Sequence, residues 1–286
     1  MKPATTLDQQ LALLSSRGLA ITDAAQCRQF LYDTSYYRLT GYARQFQVDP
    51  RTGDNTFEGR VSLEDLRRIV ELDTELSLAL IRCLGVVERV VRARFAYELA
   101  QTLGSRAFYL DRASYLTVMK DVDNFLDKLT SELVRDRNPS VARYAKGDDL
   151  SAVPVWVAFE LLSFGAISRM LEYLADPEPR ERVAASFSEP KGMFASTIHS
   201  LAVVRNRCAH HGQLWHRYLT IQTPVIKRER RDAPSFDPQG VFPAFLATRR
   251  LLRRIPGCSD AIIEVEKLIT ATHESFTAGL LHPRPQ

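Results

Sequence analysis

Four of the six histidines lie within a single stretch of eighteen residues, and this cluster is the strongest chemical feature of the sequence. Arginines and an asparagine accompany them. Histidine changes its charge near neutral pH, arginine is a permanent cation with a planar fork of donors, and asparagine can orient either group. Together these side chains suit chemistry on a phosphodiester. The cluster comprises His199, Arg205, Asn206, Arg207, His210, His211, His216 and Arg217.

Helical spacing brings part of this cluster onto one face. With about 100° between successive residues, Asn206 lies one turn before His210 and two turns after His199. Arg205 projects to one side of that face, but its long side chain can reach it. We therefore predict Arg205, Asn206 and His210 as the catalytic residues. The alternative is that His210 is a cation at the negative end of a helix dipole and Arg205 is an ordinary surface cation.

Such a set can cut RNA without a metal ion. The 2′-hydroxyl of RNA attacks the adjacent phosphorus if a base removes its proton and a cation offsets the charge that builds on the phosphoryl oxygens. His210 suits the proton transfers, and Arg205 suits the charge. Cys208 and His210 could bind a metal, but no second pair of ligands accompanies them, so we expect no metal and no cofactor.

The composition is that of a soluble globular protein, with 286 residues, of which 45% are hydrophobic and 25% charged. The four cysteines form no Cys-x-x-Cys pair, so neither a disulfide framework nor a structural zinc site is indicated, and a reducing cytoplasm fits best. No uninterrupted apolar stretch reaches the length that spans a bilayer. The sequence therefore predicts a cytoplasmic protein with no membrane partner.

Positive charge is concentrated in one part of the chain. Residues 205–254 contain eleven lysines and arginines against three acidic residues, whereas the whole chain has a net charge of only +4. This concentration would attract a polyanion to the side of the molecule that carries the histidines. The alternative is a solvated face, which most charge runs form. We predict that RNA is bound by Arg207, Lys227, Arg228, Arg230 and Arg231.

The elements that must position these residues are predicted to be helices, since no stretch shows the alternation of a strand. A cap at Ser62 begins a long helix that continues to Leu103. The fold class is therefore all-α. Further helices are predicted over residues 114–135, 154–174, 191–211, 242–254 and 260–278.

The predicted helix at residues 154–174 has apolar residues nearly all round and should be central, with an interruption at Gly165. Glu160 lies inside it and would be costly to bury unpaired, so we expect it to reach the surface or to meet a cation such as Arg205. Glu160 is thus a candidate for catalytic support. The prolines and charges of residues 222–240 predict a loop, and the turn-forming residues 49–55 predict an internal boundary.

Several sequence blocks resemble those of one protein family, in the same order. The first is Ser35-Tyr36-Tyr37-Arg38-Leu39-x-Gly41-Tyr42, followed by Glu88 with Arg92, and then Pro154-x-Trp156-x-x-x-Glu160-x-x-Ser163-Phe164-Gly165. The last is Arg205-Asn206-Arg207-Cys208-Ala209-His210-His211 with Leu214-Trp215-x-Arg217. Over roughly residues 6–217 the chain resembles the abortive infection phage-resistance proteins (Abi, AbiD/AbiF-like), a branch of the HEPN superfamily.

The resemblance implies an HEPN-like helical bundle core at residues 60–217, a small N-terminal helical lobe at residues 1–50, and a basic loop with C-terminal helices at residues 218–286. It implies a homodimer in which the Arg-x4-6-His motifs of two subunits form one cleft that cuts RNA, in phage defence or as a toxin. An inhibitory RNA or a protein antitoxin would restrain such an enzyme. This branch shares a second imidazole, so the proton carrier can be His210 or His211.

Two other classes of function are compatible with the sequence. A non-catalytic RNA-binding or protein-interaction module would keep the helices and use the basic segment, whereas a structural dimer would need no ligand. Salt separates these two classes, because phosphate binding weakens steeply as salt rises and an apolar dimer interface does not.

Overall fold

The computed structural model describes residues 3–118, 120–135, 138–147, 149–270 and 274–284. Helices make up most of it, and the all-α prediction is confirmed. Among the described helices, none is both long and apolar enough to cross a membrane. The α-helices are α1 Leu7–Ser16, α2 Ala24–Thr34, α3 Tyr36–Ala43, α4 Leu63–Leu103, α5 Val122–Arg135, α6 Pro139–Ala142, α7 Val155–Leu161, α8 Phe164–Tyr173, α9 Glu178–Ser186, α10 Lys191–Ala209, α11 Lys227–Asp232, α12 Phe242–Leu252, α13 Ile263–Thr270 and α14 Glu274–Leu281. Short 3-10 turns occupy Arg44–Phe46, Phe108–Leu110, Arg112–Ser114 and Ser259–Ile262.

The longest helix, α4, is the element around which the others pack. It begins with a reciprocal capping box, in which Asp65 N donates to Ser62 Oγ at 3.1 Å and Ser62 N donates to Asp65 Oδ2 at 2.8 Å. Its 41 residues are buried on several sides, since α7, α9, α10, α12 and α13 all pack against it. The predicted start at the Ser62 cap and the predicted end at Leu103 are confirmed.

The helix that carries the histidine cluster, α10, lies against α4 and α8, with α9 and α12 also in contact. Its apolar residues face those helices, so the polar residues of the cluster lie on the remaining surface. The fully buried side chains of α10 include Phe194, Ile198, Leu201 and Val204.

A hairpin departs from the expectation that no segment forms strands. Strands β1, Gln47–Asp49, and β2, Asp54–Phe57, pair antiparallel and are too short for alternation to show in the sequence. The predicted boundary at residues 49–55 is the turn of this hairpin together with the start of β2. Asp49 Oδ1 accepts from Arg51 N at 3.2 Å and from Thr52 N at 3.3 Å, which builds the turn.

The helix predicted at residues 154–174 is two helices, α7 and α8. The break lies at Ser163, two residues before the expected interruption at Gly165, because Ser163 Oγ caps α8 by accepting from Ala166 N at 3.1 Å. The segment is central as expected, because α7 packs against α4 and α8 packs against α10, although Trp156 on α7 is 48% exposed.

Three other segments differ in detail from the prediction. The loop at residues 222–240 contains the short helix α11. The helix predicted from residue 114 begins at Val122, after a 3-10 turn. The helix predicted at residues 260–278 is a 3-10 turn followed by α13 and α14, and residues 271–273 lie outside the described part.

One continuous apolar core includes residues from all three predicted parts of the chain, from Leu11 in α1 to Leu280 in α14. Trp215 stacks on Tyr42 of α3, with 6.3 Å between ring centroids, and on Phe276 of α14, with 6.5 Å. The division into a lobe, an HEPN-like core and an extension stays a prediction.

Candidate active site

Arg205 is held in place by a buried carboxylate. Its Nε lies 2.9 Å from Glu88 Oε2 on α4, and its Nη1 donates to Asn206 Oδ1 at 3.1 Å. Glu88 is only 9% exposed, whereas 33% of the Arg205 side chain is accessible. Arg205 is therefore not an ordinary surface cation, because its guanidinium is fixed on one side while part of it still reaches solvent.

The same carboxylate also holds Arg92. Arg92 Nη2 donates to Glu88 Oε1 at 2.9 Å, and Arg92 Nη1 donates to the carbonyl oxygens of Leu162, at 2.7 Å, and of Phe159. These carbonyls lie at the C-terminal end of α7, where the helix dipole favours a cation. Glu88 and Arg92 thereby join α4, α7 and α10 at the site.

Asn206 lies where α10 passes the start of α8. Its side chain is exposed, and its Nδ2 would be 4.0 Å from a Cβ placed on Gly165. A cavity of about 440 Å³ opens beside this contact and is lined by Gly165 and His199, among others. The α10 face that helical spacing predicts therefore borders a cavity between α5, α8 and α10.

The C-terminal end of α10 is closed by a Schellman motif. Gly212 N donates to Arg207 O at 2.8 Å and His211 N donates to Cys208 O at 3.1 Å, while His210 is the C-cap residue. His211 has a φ of 54°, where glycine is usual and another residue costs about 1 kcal/mol. Both His210 and His211 lie exposed on this turn, which we call the histidine turn.

A buried aspartate fastens the chain that follows the histidine turn. Asp73 of α4 is 1% exposed and accepts from Leu214 N at 3.1 Å, from Trp215 N at 2.9 Å and from the Tyr42 hydroxyl at 2.7 Å. Burial raises the pKa of Asp73, and the three donors oppose that shift. Asp73 therefore fixes where the chain runs after it leaves the histidine turn.

The other two histidines of the cluster have structural surroundings. His199 Nδ1 lies 2.9 Å from Ser168 Oγ, and burial lowers the pKa of His199 below its usual value. His216 Nδ1 accepts from Arg284 N at 3.1 Å, and burial, together with the Arg284 charge, lowers the pKa of His216 to about 4. In the described part of the chain, no group of three or more His, Cys, Asp or Glu side chains could hold a metal ion.

Arg207 and Glu160 differ from the prediction in their partners. Arg207 is half-buried and its Nε donates to Gln213 O at 2.7 Å, so it closes the histidine turn, and its role in RNA binding stays a prediction. Burial and the nearby Arg217 lower the pKa of Arg207. Glu160 lies exposed on α7, as one alternative expected, but the pairing of Glu160 with Arg205 is wrong because the partner of Arg205 is a different carboxylate.

The basic run of α11 lies away from the histidine turn. Glu229 of α11 contacts Arg250, and Arg250 Nη2 donates to Glu189 Oε2 at 3.0 Å, just before α10 begins. The histidine turn is at the C-terminal end of α10, which has 19 residues, so it lies about 27 Å from the start of that helix. This placement differs from the expectation that the charge adjoins the histidines. The exposed residues of the run are Lys227, Arg228, Arg230 and Arg231.

Three residues that build the site were not predicted as site residues: Glu88, Arg92 and Asp73. Each is a charged residue on the apolar stripe of α4, and a charge in a buried stripe indicates a partner elsewhere in the chain. Glu88 and Arg92 also have the i,i+4 spacing of an ion pair. The sequence therefore indicates that these charged residues have partners, but it does not identify which residues the partners are.

Comparison with known proteins gives one family. No curated protein and no solved structure matches the chain. The Abi-like protein family matches residues 29–216, a range that contains Asp73, Glu88, the start of α8 and the histidine turn. The chain therefore belongs to the Abi-like protein family, a family of abortive infection proteins.

Proposed function

We propose that the chain is a metal-independent endoribonuclease of the HEPN type that acts in abortive-infection phage defence or as a toxin. One observation carries the proposal: a buried carboxylate orients Arg205 near the C-terminal end of α10, where His210 is exposed five residues later. Asn206 contacts Arg205 and lies four residues before His210, a spacing at which Cβ atoms are about 6 Å apart. Membership of the Abi-like family supports the defence role.

The proposed reaction uses the RNA and these side chains alone. The imidazole of His210 takes the proton of the 2′-hydroxyl, the 2′-oxygen bonds to the adjacent phosphorus, and the bond from phosphorus to the 5′-oxygen breaks. The departing 5′-oxygen takes a proton from the imidazolium so formed or from a second imidazole. The products are a 2′,3′-cyclic phosphate and a 5′-hydroxyl.

Arg205 stabilises the charge that builds on the phosphoryl oxygens in this proposal. A guanidinium has five N–H donors, and the contacts of Arg205 with Glu88 and Asn206 use only Nε and one hydrogen of Nη1. The remaining hydrogens can donate to two phosphoryl oxygens. Because Glu88 fixes the group in advance, little reorganisation is needed when the charge develops.

The backbone of His211 also supports a functional role for the turn. A histidine in the left-handed region costs about 1 kcal/mol where glycine would cost little, and strain of this kind clusters at functional sites. His211 is therefore a candidate for the second proton transfer. Glu160, exposed on α7, stays a candidate for catalytic support.

The experiment that tests the proposal incubates the purified protein with total RNA in EDTA and maps the new ends. We expect ends that carry a 2′,3′-cyclic phosphate, and His210→Ala should slow cleavage by about 100-fold or more while folding and RNA binding are kept. If the chelator stops all cleavage, the metal-free mechanism is wrong. If His210→Ala cuts as fast as the parent while His211→Ala is inactive, the proton carrier is His211.

A second candidate function is a non-catalytic RNA-binding module, which the exposed charge of α11 favours. The side chains of Arg228 and Arg231 are 82% and 77% accessible, although both contact Asp232. Such a module would bind RNA in the same experiment and produce no new ends. Restraint by an inhibitory RNA or a protein antitoxin belongs to the nuclease proposal alone.

A further inference from the structure

A basic cavity lies beside the histidine turn, between α3 and the residues that follow α10. Its volume is about 410 Å³. Arg38, which is in α3, and Arg44, which directly follows α3, line one side of the cavity. His211 and Arg217 line the other side. None of the described residues that line this cavity is acidic.

The arginines of the cavity have no carboxylate as a direct partner, although buried Asp73 lies near enough to Arg38 for an electrostatic interaction. Arg38 Nη1 donates to His211 O at 2.5 Å, and Arg217 Nη2 donates to Gln213 Oε1 at 3.2 Å, so both arginines use neutral acceptors. Arg44 is exposed. In the described part of the chain, none of the three arginines forms an ion pair with Asp or Glu. Three cations around one open space would attract an anion.

The wall of the cavity is a packed contact. A Cβ on Gly41 of α3 would lie 2.9 Å from Gln213 Oε1 and 3.4 Å from Arg217 Nη2, so a larger residue at position 41 would make the ends of these side chains shift. Gln213 Nε2 in turn donates to Trp215 O at 2.9 Å, and Asp73 holds Trp215 in place. The arginines are therefore positioned by the same contacts that position the histidine turn.

Tyr37 stands at the rim of the cavity and is 89% exposed. Packing does not account for an aromatic side chain at this exposure. An accessible ring beside guanidinium groups offers a surface on which a nucleic-acid base can stack, whatever the base.

The cavity shares the side chain of Arg44 with a neighbouring cavity, which favours a strand over a single small anion. Arg44 also lines a second cavity of about 310 Å³, together with Arg284. That cavity includes Asp49 and Glu58, so it is less positive than the first. A ligand that carries several phosphates could pass Arg44 and contact both.

We propose that the basic cavity binds the backbone of a single RNA strand, with phosphates on Arg38, Arg44 and Arg217 and with a base stacked on Tyr37. The assignment rests on the proposed function, since it places the strand next to His211 and so next to the reaction.

The test measures binding of a short, fluorescently labelled single-stranded RNA by anisotropy, with His210→Ala as the parent so that the probe stays intact. Arg44→Ala and Tyr37→Ala should each weaken binding about tenfold, and Arg44→Ala should lower the salt slope by about 0.7. Both side chains are exposed, so we expect both variants to fold as the parent does. Arg143→Ala is the matched control, because Arg143 is an exposed arginine just after α6 that lines neither cavity and lies outside the basic segment 205–254.

Three outcomes decide between the alternatives. If Arg44→Ala matches Arg143→Ala in affinity and salt slope, the assignment of the cavity is wrong, even if the protein cuts RNA. If inorganic phosphate or a mononucleotide displaces the RNA at the concentration at which unlabelled RNA does, the cavity takes a small phosphate and not a strand. If the cavity variants lose binding but the original chain never cuts RNA, the assignment holds and the nuclease proposal fails.

Discussion

Glu88 places one negative charge between two guanidiniums, so the group keeps a net positive charge. Buried ion pairs contribute little to stability compared with apolar residues of similar size, although removing one partner is costly. The effect of Glu88 is therefore mainly on position. Because α4 is packed on several sides, it holds Arg205 in one place relative to the histidine turn.

Replacing Glu88 with glutamine should reveal this positioning. The amide keeps the size of the side chain but not its charge, so Arg92 and Arg205 lose their carboxylate. We expect the free energy of unfolding to fall by about 3 kcal/mol and cleavage to fall at least about tenfold. Denaturant unfolding and an RNA cleavage assay measure the two effects. Unchanged cleavage with reduced stability would restrict Glu88 to a structural role.

Arg205→Lys tests the shape of the cation separately from its charge. An ammonium group cannot hold two phosphoryl oxygens as a planar fork does, so cleavage should fall about 100-fold while the unfolding midpoint changes little. Arg182→Lys is the control, since Arg182 pairs with Glu178 on the exposed surface of α9 and should leave cleavage unchanged. Full activity of Arg205→Lys would contradict the proposed role of the fork.

At the scale of elements, the connection between the histidine turn and α14 should respond to pH. The pKa of His216 is lowered to about 4, so on acidification the unfolded chain binds the proton first, and stability is lost as the pH falls from about 6.5 to about 4. We expect this contribution to be about 2 kcal/mol, allowing for partial solvent access.

His216→Asn isolates that contribution. Asparagine tolerates the φ of 52° at this position, and its Oδ1 can accept from Arg284 N as the ring nitrogen does. The variant should lose less stability than the parent between pH 7 and about pH 4.5 in denaturant unfolding. Parallel pH profiles of the two proteins would show that His216 does not contribute.

The basic helix α11 should affect RNA affinity more than the rate of cleavage, because it lies at the far end of α10. Replacing its four exposed cations by alanine, with Glu229 kept as the anchor to Arg250, should lower RNA affinity and its salt slope without unfolding the protein. Binding titrations at several salt concentrations measure this. An unchanged slope would mean that the run is only solvated. The four positions are Lys227, Arg228, Arg230 and Arg231.

The elements that could be predicted are those with local signals. The cap at Ser62 and the apolar periodicity that follows it predict α4. A capping box can be seen in the sequence because its two partners are only three residues apart. Strands β1 and β2 could not be predicted, since they are short and their pairing depends on a turn. The break before α8 lies two residues before the predicted one, because the side chain of Ser163 caps α8 and a serine within an apolar segment is not by itself a signal for a helix start.

At the scale of the whole molecule, we expect a homodimer whose interface includes the histidine turn. A single chain presents one proposed catalytic arginine just before this turn and one or two imidazoles on it, which is a small set to carry out the cleavage itself. Light scattering at micromolar concentration should give twice the mass of the chain. When excess His210→Ala subunits are mixed with the parent protein, mixed dimers form, and the cleavage activity should fall below that of the parent diluted to the same concentration. A monomer with full activity would contradict this prediction.

The candidate site was predictable only in part because its supports come from distant parts of the chain. Helical spacing placed Arg205, Asn206 and His210 on one helix, a local relation. Glu88 and Asp73 reach the same region only after the chain has folded, and the Asp73 contacts with the backbone after the turn span more than 140 sequence positions. No local pattern encodes such pairs.

The contacts that hold Trp215 have a consequence for how the protein folds during its synthesis. The indole Nε1 of Trp215 donates to Phe276 O at 3.2 Å, and His216 N donates to Gly279 O at 3.2 Å, so α14 adds to the hold that Asp73 has on the chain after the histidine turn. On the ribosome, a nascent chain exposes Arg205 and His210 about sixty residues before α14 emerges. Until then the cavity proposed to bind RNA lacks part of the support of its wall, and we expect this to delay any cleavage of RNA near the site of translation.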